Sequence, residues 1–173
     1  MSFSSPFFFL IFLPLTLIGF QLAGYFGRRG AVGFLSLVSL YFYYHWNHRM
    51  PWLLLGSILM NYLCAWLITW SAKRPALQTG WLVAGITGNL AALCYFKYLF
   101  PLLNFFTSTG VTYRHWGSAI LPLGISFFTF TQISYLIDLK QGLVQRESLL
   151  NYSFFVTYFP HLVAGPIIRV KEL

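Results

Sequence analysis

Long stretches of this sequence carry no charge, and that limits what it can fold into more than any other feature. Runs without Asp, Glu, Lys or Arg cover residues 1–27, 30–48, 50–72, 75–96, 115–137 and 148–168. Most reach the ~20 residues that a hydrocarbon core of about 30 Å asks of a helix. Only 8% of the 173 residues are charged, while 58% are hydrophobic and 21% aromatic; an ordinary soluble domain carries about a quarter charged residues. The fold class this implies is all-α: a polytopic transmembrane helical bundle of about six membrane segments, some broken or re-entrant, forming one domain over 1–173.

The net charge of +8 is not a nucleic-acid footprint, and nucleic acid is excluded as a partner. The basic residues stand singly or in pairs at the ends of apolar runs: Arg28-Arg29, Arg49, Lys73-Arg74, Arg114, Lys140, Arg146, Arg169 and Lys171. Topology determinants are distributed in this way, because cytoplasmic loops accumulate Lys and Arg. Cys64 and Cys94 each lie inside an apolar run, where packing explains them better than a disulfide or a metal. The first apolar run has no basic segment before it and is followed at once by further spans, so it reads as a first transmembrane helix and not a signal peptide.

Spans are expected over 7–26, 31–46, 51–70 and 80–100, then over 121–139 and 151–169. If each crosses once, one side holds six basic residues (Arg28, Arg29, Lys73, Arg74, Lys140, Arg146) and the other four (Arg49, Arg114, Arg169, Lys171). That bias puts the N-terminus away from the cytoplasm. Residues 101–117 form a mixed connection. Lys97 stands in the aromatic string Tyr95-Phe96-Lys97-Tyr98 and has two readings. Its ammonium can snorkel to the headgroups, or it can point inward to a carboxylate or an anionic substrate group.

The last two segments carry groups that a plain anchor does not need. On a helix starting near Pro122, Ser126, Thr129 and Gln132 recur every three residues and form a polar stripe about 120° wide. Ser and Thr can bond the carbonyl four residues back, but the Gln132 amide needs a partner across an interface or in a wet cavity. Asp138 ends the segment, solvated or paired with Lys140. In 151–169, Pro160-His161 and Gly165-Pro166 interrupt the apolar run; carbonyls freed there are tolerable only in a protein-buried or hydrated place. His161 can shuttle a proton, or its ring simply bonds a freed carbonyl. His45 and His48 lack a third nearby ligand, so no metal site is read. From the residues alone, the chain is a membrane protein with a polar intramembrane cavity. The candidate lining residues are Ser126, Thr129, Gln132, His161 and Arg169.

The string from Pro122 to Phe130 (PLGISFFTF), followed by Ser134-Tyr-Leu-Ile-Asp138, resembles the signature region of the membrane-bound O-acyltransferases, in particular the bacterial branch that acetylates alginate and related polysaccharides. Phe159-Pro160, Ala164-Gly-Pro-Ile167 and Arg169 resemble its next signature. Asn89-Leu90 with Phe96-Lys97-Tyr98, and Ser57-Ile58-Leu59 with Asn61-Tyr62, are similar to earlier segments of the same branch. The resemblance implies an enzyme of the cell (inner) membrane, crossing it several times. It implies transfer of an acyl group, acetyl in this branch, to hydroxyls of a polysaccharide or other envelope glycan.

The implied donor is acetyl-CoA or an acyl-carrier thioester, with no covalent cofactor. The implied surroundings are the lipid bilayer, the glycan acceptor and other polysaccharide-acetylation proteins. In the family the helices form a funnel, and a histidine in a Trp-His-Gly-like context is catalytic. None of His45, His48, His115 or His161 stands in such a string. The expectation is therefore that no catalytic residue lies in these 173 residues and that they are the N-terminal part of the enzyme. A transporter or pore component, or a non-catalytic membrane scaffold, is the alternative; discontinuous polar helices also suit a transporter.

Overall fold

The computed structural model describes residues 8–46, 50–99, 102 and 124–158, and no strand occurs among them. Six α-helices follow in order: α1 (Leu13–Gly24), α2 (Arg28–Trp46), α3 (Met50–Trp70), α4 (Pro75–Cys94), α5 (Ile125–Lys140) and α6 (Leu149–Thr157). A π-helical turn, Phe8–Phe12, leads into α1, and another, Tyr95–Leu99, continues α4. Pro14 falls in the first turn of α1, at the seam with the π-turn. Its missing N–H and fixed φ cost little at a helix start.

Helix α3 shows most directly what solvent this protein expects. Leu54, Ile58, Asn61, Ala65 and Ile68 are buried, at alternating spacings of four and three. Trp52, Leu59, Leu63, Trp66 and Trp70 repeat on other faces and are exposed, Trp52 by 73% and Trp70 by 70%. A water-soluble helix exposes polar residues opposite its buried stripe; this one exposes tryptophan and leucine, which suits lipid. Helix α1 does the same with Leu15, Leu17, Ile18 and Leu22. Among the described residues two stretches are long and apolar enough to cross a membrane, Pro51–Trp70 and Pro75–Leu99, and a shorter apolar helix covers Leu10–Gly24. The all-helical class expected from the sequence is the observed one among the described residues. The expected spans over 51–70 and 80–100 meet crossing length and composition, while those over 121–139 and 151–169 are described only in part.

Polar residues inside the apolar helices mostly turn back on their own backbone. Thr16 Oγ1 donates to the Phe12 carbonyl at 2.7 Å, Ser36 Oγ to Val32 at 2.9 Å, Asn61 Nδ2 to Ser57 at 2.9 Å and Asn89 Nδ2 to Gly85 at 2.8 Å. Such bonds satisfy donors within the helix itself, as an apolar surrounding requires.

Several boundaries differ from the sequence reading. Helix α4 begins at Pro75, five residues before the expected 80, because Pro75 presets the first helical φ and Thr79 Oγ1 bonds its carbonyl at 2.8 Å. Helix α2 takes in Arg28 and Arg29, expected in a loop; the turn ends at Gly27, whose φ is +88°. Helix α5 begins at Ile125, not near Pro122, which lies outside the described residues. Helix α6 begins two residues before 151 and ends at Thr157. The breaks at Pro160-His161 and Gly165-Pro166, and Arg169, lie outside the described residues, as does all of 101–117 except Leu102.

The chain divides into two compact units. One takes its described residues from within Met1–Leu63 and Gln145–Pro166, the other from within Cys64–Val144. In the first, α2 packs on α1 and on α6. Phe8, Phe12 and Phe42 form an aromatic cluster, with ring centroids 5.5 to 6.0 Å apart. Tyr62 stacks obliquely on buried Tyr152 at 5.9 Å, and the Arg146 guanidinium lies 5.9 Å from the Tyr62 ring. In the second unit α4 packs on α5. Their close approach depends on Gly85: a Cβ there would lie 2.6 Å from Leu136 Cδ1 and 3.4 Å from Cys64 Cβ. Helix α5 closes in a Schellman pattern, Gly142 N–H donating to the Leu139 carbonyl at 3.1 Å and Leu143 N–H to that of Asp138 at 2.9 Å.

Candidate functional site

Helix α5 is closed along half its circumference. At about 100° per residue, the buried residues Ile125, Phe128, Thr129, Thr131, Gln132, Tyr135, Leu136, Asp138 and Leu139 fall in one arc of about 180°. Most helices that bury so wide an arc fill it with apolar groups; α5 puts Thr129, Thr131, Gln132 and Asp138 there. Burying these groups costs free energy unless they are bonded, and they give α5 the most polar buried surface among the described helices.

The polar stripe crosses the edge of that arc. Ser126 is half-buried on the open side, Thr129 lies at the edge with 1% exposure, and Gln132 sits near the middle with none. The three therefore do not share one open surface. The back-bonding available to a mid-helix serine does not apply to Ser126, which occupies the first turn of α5. Its hydroxyl instead meets the Lys97 ammonium of the π-turn, 3.5 Å away. The hydroxyl is a neutral partner, and the contact is compatible with either reading of Lys97. The sequence signals at Lys97, its aromatic string and the likeness of Phe96-Lys97-Tyr98 to a family segment, did not name Ser126.

Asp138 departs from expectation. It is 5% exposed, not solvated. Its Oδ2 has no hydrogen-bond partner among the described residues. Thr131 Oγ1, seven residues earlier on the same face, is likewise buried without a partner among the described residues. Sequence reading passed over Thr131, whose single hydroxyl in an aromatic segment gave no signal. Among the described residues no group of three His, Cys, Asp or Glu could hold a metal. His45 is exposed and stacks on Tyr41 with ring centroids 6.3 Å apart. Cys64 and Cys94 are free thiols. His161 and Arg169 lie outside the described residues, so the described part of the candidate site is α5 and the turn beside its start. The groups there are an ammonium, hydroxyls, an amide and a buried carboxylate.

The sequence has curated relatives along its whole length. It is 37% identical over 180 residues to the Pseudomonas aeruginosa protein named probable alginate O-acetylase AlgI, a match covering 100% of this chain and 34% of the relative. It is 32% identical over 198 residues to a peptidoglycan O-acetyltransferase of Helicobacter pylori, covering 99% of this chain and 37% of the relative. A shorter stretch of 60 residues is 28% identical to a teichoic acid D-alanyltransferase of Lacticaseibacillus rhamnosus, covering 35% of this chain and 15% of that protein. The chain thus spans about a third of the length of the first two. No family model matches it, and no solved structure does.

Proposed function

Since the chain belongs to the membrane-bound O-acyltransferase family, we propose that it forms part of an enzyme that moves acetyl groups onto glycan hydroxyls. The donor is a thioester, acetyl-CoA or an acyl-carrier conjugate. The acceptor is alginate or another polysaccharide of the cell envelope. The observation that carries this reading is likeness to O-acetylases over the full 173 residues. The exposed apolar faces of α1 and α3 support the setting, a multi-pass protein of the inner membrane with about six crossings and a glycan-acetylation machinery around it.

Within that enzyme, α5 is a wall of the passage along which donor and acceptor meet. Ser126 and Thr129 offer hydroxyls at its rim, Gln132 fixes the wall from inside, and His161 and Arg169 extend the lining along the following segment. The chemistry required of the wall is modest. An ester forms when an acceptor oxygen attacks the thioester carbonyl and the thiolate leaves. The wall's part is to hold both reactants in register, which is where intramolecular reactions gain most of their rate. None of these residues is assigned the base that takes the hydroxyl proton.

The test is acetyl transfer from radiolabelled acetyl thioester to polysaccharide in membranes that contain the intact enzyme. Base-labile label on the polysaccharide supports the reading. Label that stays in the thioester, with the enzyme present and folded, contradicts it.

A further inference from the structure

Lys97 brings a full positive charge to the end of the longest apolar helical stretch described, Pro75–Leu99. Its ammonium can donate three hydrogen bonds. One goes to Ser126 Oγ at 3.5 Å, a neutral partner that does not compensate the charge. The Tyr98 ring, 5.6 Å from the ammonium, adds only a weak attraction at an exposed site. The sequence holds three acidic residues, Asp138, Glu147 and Glu172. Asp138 lies twelve residues beyond Ser126 on α5, about 18 Å along the axis at 1.5 Å per residue. Glu147 Oε2 accepts from Asn151 Nδ2 at 2.9 Å, and Glu172 is outside the described residues. Within the described residues of its own unit, no carboxylate is placed to neutralise Lys97.

The backbone holds the pair in place. The π-helical turn Tyr95–Leu99 breaks the α register just where Lys97 sits, and such turns often mark functional positions. Helices α4 and α5 run antiparallel at this contact: Gly85 meets Leu136 near one end and Lys97 meets Ser126 near the other. The close packing at Gly85 thereby sets the level at which the ammonium and the hydroxyl face each other. A snorkelling lysine needs no such partner on a neighbouring helix.

Building on the acyltransferase reading, we infer that Lys97 and Ser126 form a positioning site for an anionic oxygen of a reactant, a carboxylate or a phosphate. The ammonium supplies the charge and the hydroxyl a second hydrogen bond. Two reactants carry such a group: the acceptor through a uronate carboxylate, and the donor through the phosphates of its carrier. Neither residue exchanges a proton with the reacting atoms.

The experiment is steady-state acetyl transfer by the intact enzyme in membranes, with donor and acceptor varied separately, for wild type, Lys97→Met, Lys97→Arg and Ser126→Ala. Lys97→Met raises KM for one reactant by about tenfold or more, the scale of a lost charge-assisted hydrogen bond. It leaves kcat within about twofold. Lys97→Arg restores most of the loss, and Ser126→Ala raises the same KM by a smaller factor. A rise for the donor alone assigns the phosphate; a rise for a uronate acceptor and not for a neutral glycan assigns the carboxylate. If Lys97→Met lowers the amount of folded enzyme, Lys97→Gln, which keeps hydrogen-bond donors without charge, is read in its place and must show the same KM rise. Unchanged KM for both reactants, or a loss confined to kcat, overturns the inference. Wild-type enzyme with no transfer at all contradicts the acyltransferase reading instead.

Discussion

Two residues of the second unit carry opposite kinds of information. Gly85 is a matter of space: Leu136, itself fully buried, already stands where a Cβ would go, and Cys64 closes the other side. Gly85→Ala should therefore lower stability by about 1–3 kcal/mol, the usual range for overpacking. In the double variant with Leu136→Ala the two losses should sum to less than their separate values, because the smaller side chain vacates the clash. Thermal or denaturant unfolding in detergent checks both. Gln132 is a matter of polarity. Its amide is fully buried, and the bonds such groups make between membrane helices average only about 0.6 kcal/mol. Gln132→Leu should then cost acetyl transfer while shifting stability by no more than about 1 kcal/mol. Full activity, or loss of the fold, would return Gln132 to a packing role.

At the scale of elements, helix starts are set by small local signals. Ser148 caps α6, its side chain accepting from the Asn151 N–H at 3.3 Å while Asn151 Nδ2 reaches Glu147. Ser148→Ala should cost about 1 kcal/mol, and Ser148→Asp should not; unfolding midpoints of the two variants decide it. The sequence made the helices legible because charge-free runs and terminal basic pairs are visible without a structure, as at Lys73-Arg74 before α4. It left helix starts less legible. The expected span at 80–100 leaves Pro75 outside it, although proline suits a first helical turn as well as a loop. Pro122 looked like a helix start, but α5 begins three residues later, after Gly124 at φ +70°. The site was legible as a polar pattern and not as contacts. Spacing gave Ser126, Thr129 and Gln132, but only the pairing of α4 with α5 brings Lys97 to Ser126. Burial of Asp138 could not be read either, because proximity to a basic residue in sequence says nothing about which face it occupies.

For the molecule as a whole, the basic residues predict an orientation in the membrane. If each of the six segments crosses once, one side holds six basic residues and the other four, and the N-terminus should face away from the cytoplasm. Single cysteines at Ser2→Cys and Ala76→Cys should label from outside and from the cytoplasm respectively; Ala76 is exposed in the first turn of α4. The reverse pattern would invert the orientation. Ester-linked acetate reports the proposed acetyl transfer directly. Membranes carrying the intact enzyme, given an acetyl thioester and an unacetylated uronate polysaccharide, should yield acetate on the polysaccharide that mild base releases, above the level of membranes without it. Acetate no higher than in those control membranes, with the folded enzyme present in the assay, would contradict the account.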